Sequence, residues 1–171
     1  MLIGSERERD KTMTKDNETP GLENARGWYA SIVEMVEALE TAQEQAHTGG
    51  DETYAVESRI HESVLSVEVR SGWRSLYSSE QLFAAEYRIL LTTGGPALQL
   101  VGTLDEHGEP ETAELQGQDW FKPWTDVPWA ALIGRDGPDP GAWEIDGDVS
   151  EAFDKVRETL LTFARCFYFG E

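Results

Sequence analysis

The chain has 171 residues, with 33 Asp and Glu against 14 Lys and Arg, for a formal net charge of −19. Its length suits one domain, and a content of 39% hydrophobic and 10% aromatic residues is enough to build a core. The charge argues against direct contact with DNA, RNA or an anionic membrane surface, because phosphates are held by clustered Lys and Arg.

Residues 1–22 read as a flexible or disordered tail, polar and without apolar period, with Met13 as a second plausible start. Met1-Leu2-Ile3 runs at once into Ser5-Glu6-Arg7-Glu8-Arg9-Asp10, so the apolar stretch of a signal peptide is missing. Residues 23–171 read as a single acidic α+β domain. Its first element is a helix from about Leu22 to Ala46, with Trp28, Ile32, Met35, Val36 and Leu39 on one face and Glu37, Glu40 and Glu44 on another stripe. His47-Thr48-Gly49-Gly50-Asp51 stops it, and a short helix follows around residues 52–62.

The period then changes to two. Leu65, Val67 and Val69 alternate with Ser66, Glu68 and Arg70, which predicts a half-buried strand. Residues 86–91 predict a second strand, and Thr93-Gly94-Gly95-Pro96 a turn. Residues 97–104 predict a third strand, with Leu98, Leu100 and Leu104 on one side. Another turn at 105–110 leads to a fourth strand at 112–116, with Ala113 and Leu115 inward. Short connections imply an antiparallel meander. The longest uncharged run, 89–104, is too short and too rich in glycine to cross a bilayer. Residues 117–147 read as irregular, holding four of the seven prolines together with Trp120, Phe121, Trp124, Trp129 and Trp143. A last helix is expected from about Val149 to Phe169, capped by Asp148 and carrying Phe153, Val156, Leu160, Phe163 and Phe167 across the sheet. The single cysteine, Cys166, excludes an internal disulfide and lies in an aromatic stretch that favours a buried thiol. The whole reads as α+β: an N-terminal helix, a four-stranded antiparallel sheet, and a C-terminal helix packed on it.

Several segments carry a resemblance. Ser66-Val67-Glu68-Val69-Arg70-Ser71-Gly72-Trp73, Tyr87 through Pro110, Gln118-Asp119-Trp120-Phe121-Lys122-Pro123-Trp124-Thr125 and Phe163 through Glu171, with Ser31-Ile32-Val33-Glu34-Met35-Val36, resemble a family of small acidic proteins encoded by phages and mobile elements. The likeness covers roughly residues 27–171. The family has no settled activity, so it assigns no catalytic residue. What it implies is context: small accessory phage genes often encode inhibitors of host defence, which act in the cytoplasm of the bacterial host.

The charge is uneven. Residues 27–57, 99–121 and 136–154 hold twenty of the 33 acids and no Lys or Arg, so they cannot neutralise themselves by local ion pairs. Glu40 and Glu44 stand about 6 Å apart along a helix axis. A carboxylate row on that scale can stand in for backbone phosphates and steer a basic groove towards itself. The expected partner-binding residues are Glu34, Glu37, Glu40, Glu44, Asp105, Glu106, Glu109, Glu111 and Glu114, with Trp120 and Trp124 as aromatic anchors. The partner expected is a basic host protein or nucleic-acid-binding complex, a CRISPR effector or a restriction enzyme, and not nucleic acid or membrane. The competing explanation is a solvated surface that serves solubility or salt adaptation, since only Lys11, Lys15, Lys122 and Lys155 are lysines.

Other chemistry finds little support in the sequence. His47, His61 and His107 show no metal-ligand spacing, and the acidic turns lack the EF-hand pattern. No catalytic residue, cofactor or metal is therefore expected. Two alternatives stay open. One is a small ligand-binding domain or enzyme with a Trp-lined site near Glu111 and Glu114, although strand alternation puts those two carboxylates on opposite faces. The other is a structural or assembly protein. The oligomeric state is open, with a homodimer through apolar faces as one form.

Overall fold

Helix α1 (Leu22–Gln45) owes its position to a stripe at three- and four-residue steps: Ile32, Met35, Val36 and Leu39 are buried and Trp28 is half-buried. Two polar side chains tie down its first turns. Asn24 Nδ2 donates to the Pro96 carbonyl at 3.3 Å, and Arg26 Nε donates to the Ala131 carbonyl at 2.7 Å. Helix α2 (Asp51–Ser63) packs on α1 and buries Ile60. These and the following elements come from a computed structural model, which describes residues 21–45, 51–77, 82–133 and 147–170. The helix stop at 47–50, Trp143 and most of the third acidic run lie outside the described residues. So does the expected tail, apart from Gly21 and from Leu22, which opens α1.

Five strands follow: β1 (Ser66–Ser71), β2 (Ala84–Thr92), β3 (Ala97–Thr103), β4 (Glu114–Gln118) and β5 (Thr125–Asp126). They lie side by side in chain order and every neighbouring pair is antiparallel, so the sheet is a meander. Ile89 sits opposite Leu100, and Leu100 opposite Leu115. That register puts Tyr87, Ile89, Leu98, Leu100 and Leu115 on one face, all buried with Ile32, Leu39, Val156, Leu160 and Phe163 in one core. The opposite face is polar. After β5 comes a short helix α3 (Trp129–Leu132), then α4 (Gly147–Arg165), which packs beside α1 and α3.

The α+β architecture expected from the sequence is present, with differences that include the short helix α3 in the stretch expected to be irregular. The sheet has five strands rather than four. β5 is only two residues long and lies between Pro123 and Pro128, where local sequence carries no strand period. α4 ends at Arg165, so Phe167 and Phe169 lie beyond it; Phe169 turns back to stack on Tyr87, with centroids 4.7 Å apart. α4 begins at Gly147, so Asp148 lies within it rather than before it, and the Asp148 side chain is outside the described residues. Last, β1 is not half-buried: Leu65, Val67 and Val69 are 57%, 38% and 53% exposed. Val67 and Val69 pair with the buried Ile89 and Tyr87, so they point to the helix side, but the helical layer stops short of this edge.

Candidate interaction surface

The acidic stripe of α1 faces solvent. Glu37, Glu40 and Glu44 are exposed, on the side away from Ile32, Met35 and Leu39. Glu34 differs, because Arg59 of α2 donates to its carboxylate at 2.9 Å and neutralises it. Glu37 also lines an open groove of about 520 Å³ between α1 and α2, with Glu52 on the other bank and Ala38, Ala42, Ala55 and Val56 between them. Carboxylates thus flank a shallow apolar floor.

The second acidic run divides among different environments. Asp105 closes the β3–β4 turn: its Oδ1 accepts the backbone N–H groups of His107 at 2.8 Å and Glu109 at 2.9 Å. Those bonds hold its carboxyl below its usual range. Turn chemistry therefore accounts for Asp105, while Glu106 and Glu109 point outward from the same turn. Glu111 is exposed beside Thr103, 3.4 Å from its hydroxyl. Glu114 lies on the polar face of the sheet, and there burial first and the Asp126 charge second push its carboxyl upward. The expected acidic residues are thus spread over a helix face, a turn and the sheet, not gathered into one cluster.

The polar sheet face holds residues that the sequence did not single out. It forms a concave surface enclosing about 840 Å³, with Glu68, Arg70, Glu86 and Arg88 at one end and Gln99, Glu114, Gln116 and Asp126 at the other. At the first end Glu68 pairs with Arg88 across β1 and β2, and Arg70 pairs with Glu86. At the second end Gln99 Nε2 donates to Gln116 Oε1 at 2.8 Å, and Gln116 Nε2 donates to Asp126 Oδ1 at 2.8 Å. Asp126 only accepts, so it fixes the direction of both amides. The chain of donors ends on Gln99 Oε1, which is buried without a partner among the described residues. Among the described residues no tryptophan lines this surface, although the Trp129 side chain interacts with the Glu114 carboxylate. Strand pairing was needed to find Asp126, because β5 brings it beside Gln116 from ten residues away.

The aromatic loop is split. Trp129 packs towards the core and meets Phe153 edge-on, with centroids 6.3 Å apart. Trp124 is half-buried. Trp120 lies over Gly95, where a Cβ would fall 1.8 Å from its Nε1, yet it stays 64% exposed. Phe121 beside it is fully exposed and has φ +61°, a conformation that costs a non-glycine residue energy. Phe121 is the most exposed aromatic among the described residues of this loop.

The remaining singled-out residues have local roles. His61 Nε2 lies 2.6 Å from the Cys166 carbonyl, and its ring packs on Phe167. Burial pushes the Cys166 thiol up to about 11, which leaves it protonated at neutral pH. Among the described residues no group of three His, Cys, Asp or Glu side chains is placed to hold a metal, and no helix is long and apolar enough to cross a membrane. Comparison with protein families, with curated proteins and with solved structures finds no match.

Proposed function

We propose that this chain is an acidic, phage-type accessory protein that inhibits a basic, nucleic-acid-binding host defence protein by occupying its nucleic-acid surface. CRISPR effectors and restriction enzymes are the candidate targets. The observation that carries this reading is the solvent-facing row Glu37, Glu40 and Glu44 on α1, within a stretch from 27 to 57 that has no Lys or Arg. Glu37 and Glu44 stand about 10 Å apart along the rigid helix axis, a spacing that a basic groove can read as fixed negative charge. Glu106 and Glu109 at the β3–β4 turn add a second acidic point. The exposed Trp120–Phe121 pair supplies apolar contact area of the kind that anchors protein interfaces.

The test is retention of host proteins by the immobilised chain over a salt series, with each retained protein identified. The expected result is a nucleic-acid-binding protein retained at low salt, released as salt rises, and displaced by competing DNA or RNA. A triple reversal of Glu37, Glu40 and Glu44 to Lys changes the local charge by six units without touching the apolar stripe. It is expected to abolish retention while circular dichroism stays unchanged. Retention that survives both high salt and the triple reversal would overturn charge mimicry through α1.

A further inference from the structure

We infer that β1 is the seat of a homodimer, in which two copies join edge to edge and continue the sheet. β1 is a six-residue strand at the end of the sheet with five of its residues exposed, whereas the strand at the other edge has two residues. Such an edge presents unpaired backbone groups, and proteins that stay monomeric blunt it with charged residues, proline, a bulge or a covering element. Ser66–Ser71 has neither proline nor lysine, its two charges are of opposite sign, and its one irregularity lies at the Arg70/Ser71 end. Its helix-side row of Leu65, Val67 and Val69 is open to solvent, although the residues paired with Val67 and Val69 are buried.

Charge selects the occupant. The chain carries −19, which opposes self-association across most of its surface. Residues 63–77 are an exception, with Glu68 against Arg70 and Arg74. On the polar face, one cross-strand row ends at the edge as Arg88–Glu68 and the next as Glu86–Arg70. A two-fold axis at Val69 sets Glu68 of each copy opposite Arg70 of the other. Each row then alternates in sign across the junction: Arg88, Glu68, then Arg70 and Glu86 of the second copy. An axis at Glu68 or Arg70 sets like charges face to face, and an axis at Val67 leaves Glu68 opposite Ser66. The same axis brings the two Val69 side chains together on the helix side and covers the exposed row. The register irregularity between Arg70 and Ser71 bounds the pairing at its far end.

Sedimentation of the full chain over a concentration series tests this, with circular dichroism as the control for folding. The wild type is expected to dimerise reversibly. Glu68→Arg and Arg70→Glu each turn both junction pairs into like-charge pairs and should weaken the dimer by at least about tenfold. An equimolar mixture of the two variants restores both pairs and should dimerise again. If either charge variant loses its fold, Val69→Lys, which sets two cations against each other at the axis, takes its place and should be monomeric. A wild type that stays monomeric throughout would overturn the inference. So would charge variants that dimerise as well as the wild type, or a mixture that stays apart. Protection of the β1 amides from hydrogen exchange only on adding a different protein would assign the edge to that partner and also overturn it.

Discussion

The ring of Tyr87 lies across Gly102 on the neighbouring strand, so close that a Cβ at Gly102 would fall 2.7 Å from the ring. The Tyr87 hydroxyl donates to the Thr112 carbonyl at 2.7 Å, and the Phe169 ring packs against Tyr87 with the planes tilted by 36°. Glycine is therefore required at 102 by space and not by backbone angle. The same Cβ would meet the Thr112 carbonyl oxygen at 1.9 Å, and backbone cannot swing aside as a side chain can. Gly102→Ala is expected to cost about 2 kcal/mol through overpacking. Tyr87→Phe keeps the ring and loses the hydrogen bond, for about 1 kcal/mol. Urea denaturation of both variants checks the order.

Gln99 offers a substitution expected to stabilise. Its Oε1 is buried without a partner among the described residues, and the direction of the amide is forced by Asp126 through Gln116. Gln99→Leu removes the orphan acceptor and leaves Gln116, which is only half-buried, to find water. A gain of about 1 kcal/mol in unfolding free energy is expected. If Asp126→Asn is made instead, the direction of both amides is released.

These two sites show what the sequence could reveal. The stripe of α1 and the cores of β2 and β3 were legible, because long segments with one clear period commit every residue to a face. β5 and α3 were not, since two and four residues cannot display a period, and the prolines around them mask what remains. Asp126 was hidden for the same reason, and with it the amide chain on the polar face. The alternation of Leu65, Val67 and Val69 was read correctly as a strand. Its burial was not, because coverage of an edge depends on where the helices end, which no local pattern states. Likewise Glu34 reads like its neighbours Glu37 and Glu40 until α2 brings Arg59 to it.

Glu114 and Asp105 predict opposite pH behaviour. Burial, then the Asp126 charge, raise the Glu114 pKa above its unfolded value. The stability this contributes is fully present below the unfolded pKa and is lost as pH rises through the folded one. Glu114→Gln should therefore gain on the wild type between mildly acid and neutral pH, and the difference should shrink at lower pH. The backbone N–H groups of Glu109 and His107 lower the Asp105 pKa, so its contribution is present above the unfolded value and lost as pH falls. Asp105→Ala should be most harmful at neutral pH and nearly silent in acid. Denaturation midpoints across the acid range check both, and parallel curves for the two variants would contradict the assignment.

Phe121 separates apolar anchoring from charge. Its positive φ costs a non-glycine residue about 1 kcal/mol, and its exposed ring recovers little of this within the monomer. Phe121→Gly relieves the backbone but adds freedom to the unfolded chain, so its stability should lie within about 0.5 kcal/mol of the wild type. Phe121→Val keeps the strained angle with a branched side chain and should cost about 1 kcal/mol. If the Trp120–Phe121 pair anchors the proposed partner, Phe121→Gly should weaken binding by a similar factor at every salt concentration, because burial of an aromatic ring is not screened. The α1 reversal should instead matter most at low salt and fade as the Debye length shrinks. A binding series in salt with both variants distinguishes the two contributions, and a Phe121→Gly effect that disappears at high salt would place the turn in the electrostatic contact rather than at an anchor.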